Sequence, residues 1–189
     1  MNGEGIAPDL RVELLGSEHD RKGFTCGVES LDVYLKTQAG QDVRRKANAV
    51  FVLVETAAPT RILGYFTLCA TALLPGDVPL EARKHIPRYP LVSATLIGRL
   101  AVARERQGHG LGAVLLASAL RKAHLSAASV GSSMVVVDAL DEAAARFYVA
   151  HGFVRLPDSM RLVIPVRVVN ELLQDKKSCK RGPGGSRPL

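Results

Sequence analysis

The segment RERQGHGLGAVLL, Arg104–Leu116, places Gly108, Gly110 and Gly112 at every second position between two apolar runs. The apolar residues from Leu111 onward recur at helical spacing, so we expect a helix to begin almost on the last glycine. A strand, a glycine-rich turn and a helix start present unpaired backbone N–H groups and the positive end of the helix dipole, and the missing Cβ atoms let an anion approach. The segment therefore predicts a phosphate-binding loop.

Two common kinds of phosphate-binding loop do not match this spacing. A P-loop needs Lys followed by Ser or Thr after its last glycine, whereas Ala113 and Val114 follow Gly112. A dinucleotide-binding fold needs Gly-x-Gly-x-x-Gly directly after its first strand, whereas this loop has a different spacing and comes late in the chain. Nucleotide triphosphatase and dinucleotide-binding functions are therefore disfavoured.

The rest of the chain alternates predicted strands and helices, with an antiparallel hairpin ahead of the glycine loop. Pro59 suits the turn of this hairpin, Asp141 suits a helix N-cap, and Gly152 suits the residue after a helix end. The predicted strands are Leu10–Leu15, Ala49–Glu55, Ile62–Leu73, one ending near Ala103, Ser132–Leu140 and Met160–Val166; the predicted helices are Val28–Ala39, the one after the glycines, and Glu142–His151.

The length of 189 residues, 47% of them hydrophobic, indicates one globular domain. Of the net charge of +7, five charges fall in Lys176–Leu189, so residues 1–175 are only mildly basic. The segment 176–189 is rich in Gly and Pro, which predicts a disordered, solvated tail. No segment has the apolar length of a signal peptide or membrane span, so we expect a cytoplasmic protein without membrane partners.

The three cysteines, Cys26, Cys69 and Cys179, are scattered and form no Cys-x-x-Cys pair. No histidine stands at metal-ligand spacing from them, so we expect reduced thiols and no metal. A catalytic role for Cys26 would need a histidine partner, and none is near in sequence. We therefore interpret Cys26 as a small, half-buried residue at a turn.

The pattern Gln107-x-x-Gly110-x-Gly112 after GRLAVA resembles motif A of the GNAT N-acetyltransferase superfamily. The segments CGVESLDVYL, ILGYFTLCAT, YPLVSATLIGRLAVARERQGHGLG and VVVDALDEAAARFYVAHGFVRLPD together resemble the GNAT toxins of bacterial toxin–antitoxin pairs, which acetylate aminoacyl-tRNA. This resemblance covers most of residues 20–165. It implies an α/β GNAT fold in a single domain, with a seven-stranded mixed sheet splayed at the acetyl-CoA site.

The resemblance also implies how acetyl-CoA is held. The backbone of Leu100 and Val102 would pair with the pantetheine arm, and an N–H there would polarise the thioester carbonyl. We interpret His109 as a cofactor contact or an exposed residue rather than a general base, because it lies inside the loop. The residues implied to bind the pyrophosphate through backbone amides are Gln107, Gly108, His109, Gly110, Gly112 and Ala113. Glu105 puts a negative charge near this site.

Tyr148 matches the family's tyrosine that protonates the departing CoA thiolate, although a tyrosine on an amphipathic helix is also typical of core packing. No general base is assigned, because the α-amine of an aminoacyl ester is already acidified by the ester. Glu81, Asp138 and Asp141 are candidates for a base only because they are near the motifs in sequence. Loop solvation for Glu81 and strand-end or capping roles for the two aspartates are the favoured interpretations.

An aminoacyl-tRNA substrate requires phosphate contacts from basic side chains, although runs of charge are usually solvated surface. The resemblance further implies a ribbon–helix–helix antitoxin and a homodimer. The candidate tRNA-binding residues are Lys36, Arg44, Arg45, Lys46, Arg83, Lys84 and Arg99.

Two other functions stay open at this point. The first is an N-acetyltransferase for a small amine or a protein amino group, because fold alone does not fix the acceptor. The second is a non-catalytic module that binds a CoA ester. Tyr148 argues against the second alternative, since a sensor needs no group that protonates a thiolate.

Overall fold

The computed structural model describes residues 9–84 and 88–178. A π-helical turn, Tyr34–Gln38, joins the first two helices, and the short turns Pro75–Asp77 and Arg104–Arg106 are 3-10 helices. The strands are β1 Leu10–Leu14, β2 Ala49–Glu55, β3 Gly64–Leu73, β4 Val92–Val102, β5 Met134–Asp138, β6 Val154–Arg155 and β7 Arg161–Pro165. The helices are α1 Glu29–Val33, α2 Ala39–Arg45, α3 Leu80–Arg83, α4 Leu111–Val130, α5 Glu142–Ala150 and α6 Val166–Ser178.

The strands form one seven-stranded mixed sheet in the order β1-β2-β3-β4-β5-β7-β6, which confirms the predicted sheet. Strands β2 and β3 pair antiparallel, with Ala49 opposite Leu68, so the predicted hairpin is confirmed. Strand β1 pairs antiparallel with β2, and β7 pairs antiparallel with both β5 and β6.

The chain divides into two compact units, Met1–Ala70 with Leu96–Ala119 and Thr71–Thr95 with Leu120–Leu189. In the first unit, one layer of the core lies between the sheet and the helices α1 and α2. Tyr65 of β3 is fully buried there and stacks on Tyr34 with 6.3 Å between ring centroids. Burial of this aromatic area orients α1 and α2 against the sheet.

In the second unit, β5 and β7 are almost continuously apolar and buried, as expected for central strands. Asp141 is the N-cap of α5, and its Oδ1 accepts a hydrogen bond from the N–H of Ala144 at 2.8 Å. Gly152 follows the helix with φ +92°, a backbone conformation that favours glycine. Both predicted ends of this helix are therefore confirmed.

Three elements of the second unit were not predicted from the sequence: α3, the two-residue strand β6 and the final helix α6. Helix α6 runs to Ser178, so it continues past the predicted start of the tail at Lys176. Residues 179–189, which make up most of the predicted tail, lie outside the described residues. Within the described part of the chain, no helix is both long enough and apolar enough to cross a membrane.

Candidate active site

The end of strand β4 presents backbone groups on the side away from β3. The N–H of Ala103 donates to the carbonyl of Leu63 at 2.8 Å, so this residue pairs toward β3. Because successive residues of a strand direct their N–H groups to opposite sides, the N–H of Val102 points away from β3, and Leu100 shares that direction in a regular strand. Both residues are half-buried. This is the orientation that pairing with an extended ligand requires.

Gly64, the first residue of β3, lets the neighbouring chain segments approach closely. A Cβ atom at this position would lie 2.8 Å from the carbonyl oxygen of Ala101 and 2.7 Å from Cδ1 of Leu115. The carbonyl oxygen belongs to the sheet and cannot move away cheaply. Gly64 therefore brings β3, the end of β4 and the second turn of α4 together, a role that could not be detected in the sequence.

The glycine loop forms an open cradle of backbone N–H groups at the start of α4. Gly108 and Gly110 both have φ +78°, and a Cβ atom on either would meet nothing within 4 Å. Among the described residues, no hydrogen bond uses the N–H groups of residues 108–112. Five successive free donors at a helix N-terminus make a strong anion site. The loop therefore has the geometry that a pyrophosphate group needs.

The side chain of Gln107 anchors the start of this loop. Its Nε2 donates to the carbonyl of Cys26 at 2.8 Å and to the carbonyl of Val102 at 3.1 Å. Arg104 adds a main-chain link, because its N–H donates to the carbonyl of Thr25 at 2.8 Å. The loop is thus fixed both to the segment before α1 and to the end of β4.

Two polar side chains of the loop have local partners. Nδ1 of His109, whose ring is exposed, donates to the carbonyl of Gln107 at 2.8 Å. Glu105 pairs with Arg61 at 2.8 Å, and this hydrogen bond lowers the pKa of the Glu105 carboxyl. The negative charge of Glu105 is therefore offset by Arg61 instead of facing the cradle alone.

Tyr148 lies in the second unit, on α5, with 7% of its surface exposed. Its ring packs edge-on against Phe147 and Phe153, with centroid distances of 5.3 Å and 5.5 Å. Burial raises the pKa of Tyr148 to about 12, so the phenol stays protonated at neutral pH. Within the described residues, its hydroxyl makes no hydrogen bond. The side chain is thus packed as a core residue and still carries an available donor.

The three carboxylates considered as bases differ in environment. Asp138 receives two hydrogen bonds from Arg161, at 2.7 Å and 2.9 Å, and Asp141 caps α5. The strand-end and capping interpretations of the two aspartates are confirmed. Glu81 is exposed, as the solvation interpretation predicted, but it lies on helix α3 and not in a loop.

The basic residues proposed to contact tRNA also divide by environment. The guanidinium carbon of Arg99 lies 3.6 Å from the centre of the Tyr34 ring, and no hydrogen bond or ion pair joins this guanidinium to another described residue. Arg83 instead donates to the carbonyls of Val78 and Gly76, at 2.7 Å and 2.9 Å. The remaining candidates, Lys36, Arg44, Arg45, Lys46 and Lys84, are exposed.

The other titratable clusters have structural explanations. Cys26 is buried. Burial, the largest cause, and contact with Asp32, the second, raise the pKa of its thiol to about 11. This agrees with an unreactive residue at a turn. Glu13, Glu18 and His19 bring their oxygen and nitrogen atoms within 4.8 Å of one another. Nδ1 of His19 already accepts from the N–H of Gly16 at 2.8 Å, and its Nε2 contacts Glu13 at 3.0 Å, so both ring nitrogens have protein partners.

The free N–H cradle between β4 and α4 defines a binding site for a phosphate-bearing ligand. The family model for the acetyltransferase (GNAT) domain matches residues 48–155. The chain therefore belongs to the GNAT acetyltransferase family.

One relative and two solved structures of a second toxin illustrate this membership. The tRNA-acetylating toxin of Mycobacterium tuberculosis is 32% identical over 157 residues, covering 82% of this chain and 92% of that protein. The structure of AtaT complexed with acetyl-methionyl-tRNAfMet has a TM-score of 0.80 and 31% identity, covering 87% of this chain and 99% of that one. A further structure shows a tyrosine-to-phenylalanine mutant of the AtaT toxin bound to the C-terminus of the antitoxin AtaR and acetyl-CoA. It has a TM-score of 0.74 and 28% identity, covering 87% of this chain and 98% of that one.

Proposed function

We propose that this GNAT acetyltransferase transfers acetyl from acetyl-CoA to the α-amine of aminoacyl-tRNA and acts as a toxin that blocks translation. The observation that carries the proposal is the cradle of five free N–H groups, residues 108–112, in a chain that is 32% identical to a tRNA-acetylating toxin. An acetylated α-amine cannot attack a peptidyl ester, so the product cannot accept a growing peptide.

The acetyl donor binds through main-chain atoms. Val102 and Leu100 pair with the pantetheine arm through the strand side that faces away from β3. Backbone donors bind anions independently of side-chain charge, which explains how a loop carrying Glu105 can still bind a pyrophosphate. The pyrophosphate ligands are the free amides of Gly108, His109, Gly110 and Gly112. The N–H groups of Gln107 and Ala113, which the resemblance also implied as ligands, already donate to the carbonyls of Arg104 at 3.4 Å and Gly110 at 3.1 Å, so these two residues support the loop instead.

Tyr148 assists departure of the thiolate. The neutral amine attacks the thioester carbonyl, the C–S bond breaks, the amine loses one proton and the sulfur gains one. A phenol of pKa about 12 is a weaker acid than a thiol of pKa roughly 8.5, so complete proton transfer precedes C–S cleavage only at a high cost. Tyr148 therefore acts as a hydrogen-bond donor to the departing sulfur, and a proton that it passes to sulfur is replaced by the proton that the amine loses.

The tRNA substrate is held by basic side chains. Arg99 is the strongest candidate of the proposed set, because its guanidinium lies over the Tyr34 ring and keeps all its N–H donors available. Arg83 contributes least, because two main-chain carbonyls already receive its donors. The exposed members of the set are Lys36, Arg44, Arg45, Lys46 and Lys84.

The same proposal includes the protein's assembly and location. Residues 1–175 act as one acetyltransferase domain and residues 176–189 as a basic tail. The toxin forms a homodimer in the cytoplasm and is neutralised by a ribbon–helix–helix antitoxin. The support for an antitoxin is the similarity to AtaT, whose mutant binds the C-terminus of AtaR.

The test uses purified protein, radiolabelled acetyl-CoA and a total aminoacyl-tRNA pool, with deacylated tRNA as control. We expect label in the RNA that depends on the aminoacyl group. We also expect Tyr148→Phe to bind acetyl-CoA normally and to lose roughly 10²–10⁴-fold in rate. Label on protein or small amines but not on tRNA would move the acceptor to another amine. Binding without transfer to any amine would identify a CoA-ester sensor.

A further inference from the structure

A small pocket in the first unit, away from the glycine loop in sequence, brings two arginines together. It has a volume of about 220 Å³ and lies between the β1–α1 connection and helix α2. Its lining includes Gly16, Ser17, Arg21, Gly40 and Arg44.

Gly40 makes the closeness of the two arginines possible. A Cβ atom on Gly40 would lie 2.7 Å from Nη1 of Arg21 and 3.6 Å from Nη1 of Arg44. The two nitrogens therefore cannot be farther apart than the total of these distances. Glycine is a poor helix residue, yet here it stands inside α2, where the absent Cβ leaves room for a guanidinium.

Neither guanidinium has an anionic partner in the described part of the chain. The N–H of Arg21 donates to the carbonyl of His19 at 3.0 Å, but no hydrogen bond or ion pair joins the guanidinium of Arg21 or of Arg44 to another described residue. The β1–α1 connection contains two acids, Glu18 and Asp20. The carboxylate of Glu18 lies over Gly16 and is 3.7 Å from Nδ1 of His19. Asp20 accepts from the N–H of Gly23. Two positive charges at this separation repel unless an anion bridges them.

We propose that the pocket of Arg21, Arg44 and Ser17 binds one phosphate of an RNA backbone. Guanidinium groups bind phosphate oxygens through short, charge-assisted hydrogen bonds of about 2.7–2.9 Å, and two converging groups can share one phosphate. The hydroxyl of Ser17 supplies a further donor. The inference rests on the proposed tRNA substrate and adds to it a specific phosphate site, with Arg21 as a new residue.

The experiment measures binding of deacylated tRNA by fluorescence anisotropy in the absence of acetyl-CoA. Arg21→Gln and Arg44→Gln should each weaken binding about 5–10-fold and reduce the slope of log K against log salt by about 1. Lys22→Gln removes the same charge from an exposed neighbour outside the pocket, and should weaken binding less than twofold. Equal losses for Lys22→Gln would show general attraction only and overturn the site.

Gly40→Ala tests the geometry without changing any charge. The added Cβ displaces the Arg21 guanidinium, so tRNA affinity should fall several-fold while the melting temperature stays equal or rises, because alanine favours a helix. Unchanged affinity in Gly40→Ala would contradict the proposal.

Inorganic phosphate separates the two possible sources of the anion. A phosphate-dependent rise in melting temperature that requires both arginines, with tRNA affinity insensitive to them, would assign the pocket to a free anion and overturn the RNA site. Since none of these measurements involves acetyl transfer, failure of this site is distinguishable from failure of the proposed reaction.

Discussion

The side-chain amide of Gln107 donates to the main-chain carbonyl of Cys26 at 2.8 Å, although 81 residues separate the two in sequence. The same amide donates to Val102, so a single side chain connects the first residue of the glycine loop, the segment before α1 and the end of β4. The cradle is therefore held in place by a tertiary contact as well as by its own backbone conformation.

Replacing Gln107 with Ala should loosen the loop and leave two carbonyls without their donor. We expect a loss of about 1–2 kcal/mol in the free energy of unfolding and about tenfold weaker binding of acetyl-CoA. Thermal unfolding and calorimetric titration measure these quantities. Gln41→Ala is the matched control, because the amide of Gln41 has only a long 3.4 Å contact with Thr37. Equal effects of the two substitutions would contradict the anchoring role.

Substituting Gly110 separates backbone strain from anion binding. Gly110→Ala places an L-residue at φ +78° and should cost about 1–2 kcal/mol of stability. We also expect at least about tenfold weaker acetyl-CoA binding, since the new Cβ atom enters the open cradle.

Gly131→Ala is the control for this substitution. Gly131 follows the opposite end of α4 with φ +72° and also has open space around its Cβ position. It should show a similar fall in melting temperature with unchanged acetyl-CoA affinity. If Gly131→Ala weakened acetyl-CoA binding as much as Gly110→Ala, the cradle would not be the binding site.

Alkaline unfolding tests the burial of Tyr148. The pKa of this phenol is about 12 in the folded protein against an ordinary value of 10, so the folded state disfavours the phenolate. The protonated phenol of Tyr148 contributes roughly 2–3 kcal/mol to the free energy of unfolding. This contribution is complete below pH 10 and is lost as the pH rises from 10 to 12. The free energy of unfolding of Tyr148→Phe should therefore fall less over this interval. Parallel curves for the two proteins would contradict the shift.

The sequence predicted the parts of this fold that depend on neighbouring residues. The glycine loop, the β2–β3 hairpin and the Asp141 cap each follow from local turn chemistry and periodicity. Helix α6 was missed, although Val166 and Val169 have helical spacing, because the chain enters this helix directly from β7 and continues into a Gly- and Pro-rich segment.

The contacts that support the site could not be predicted in the same way. Gly64 appears in the sequence only as a glycine inside a strand, and its close approach to Ala101 depends on the pairing of distant strands. Gln107 likewise matched a family position, but the sequence could not show that its amide is directed at Cys26. Such roles require knowledge of which distant segments meet.

Asp141 and Glu81 are predicted to have no role as a catalytic base. Asp141→Ala removes the acceptor of the Ala144 N–H and should cost about 1 kcal/mol of stability, whereas Asp141→Asn should retain the cap. Neither substitution should change kcat, and Glu81→Gln should also leave it unchanged, because the substrate amine is already acidic enough to react without a strong protein base. The acid side of the pH profile of kcat/KM should then follow the amine, and should move when aminoacyl groups of different amine pKa are compared. A profile that stays fixed across substrates but moves in Glu81→Gln would identify that carboxylate as the base.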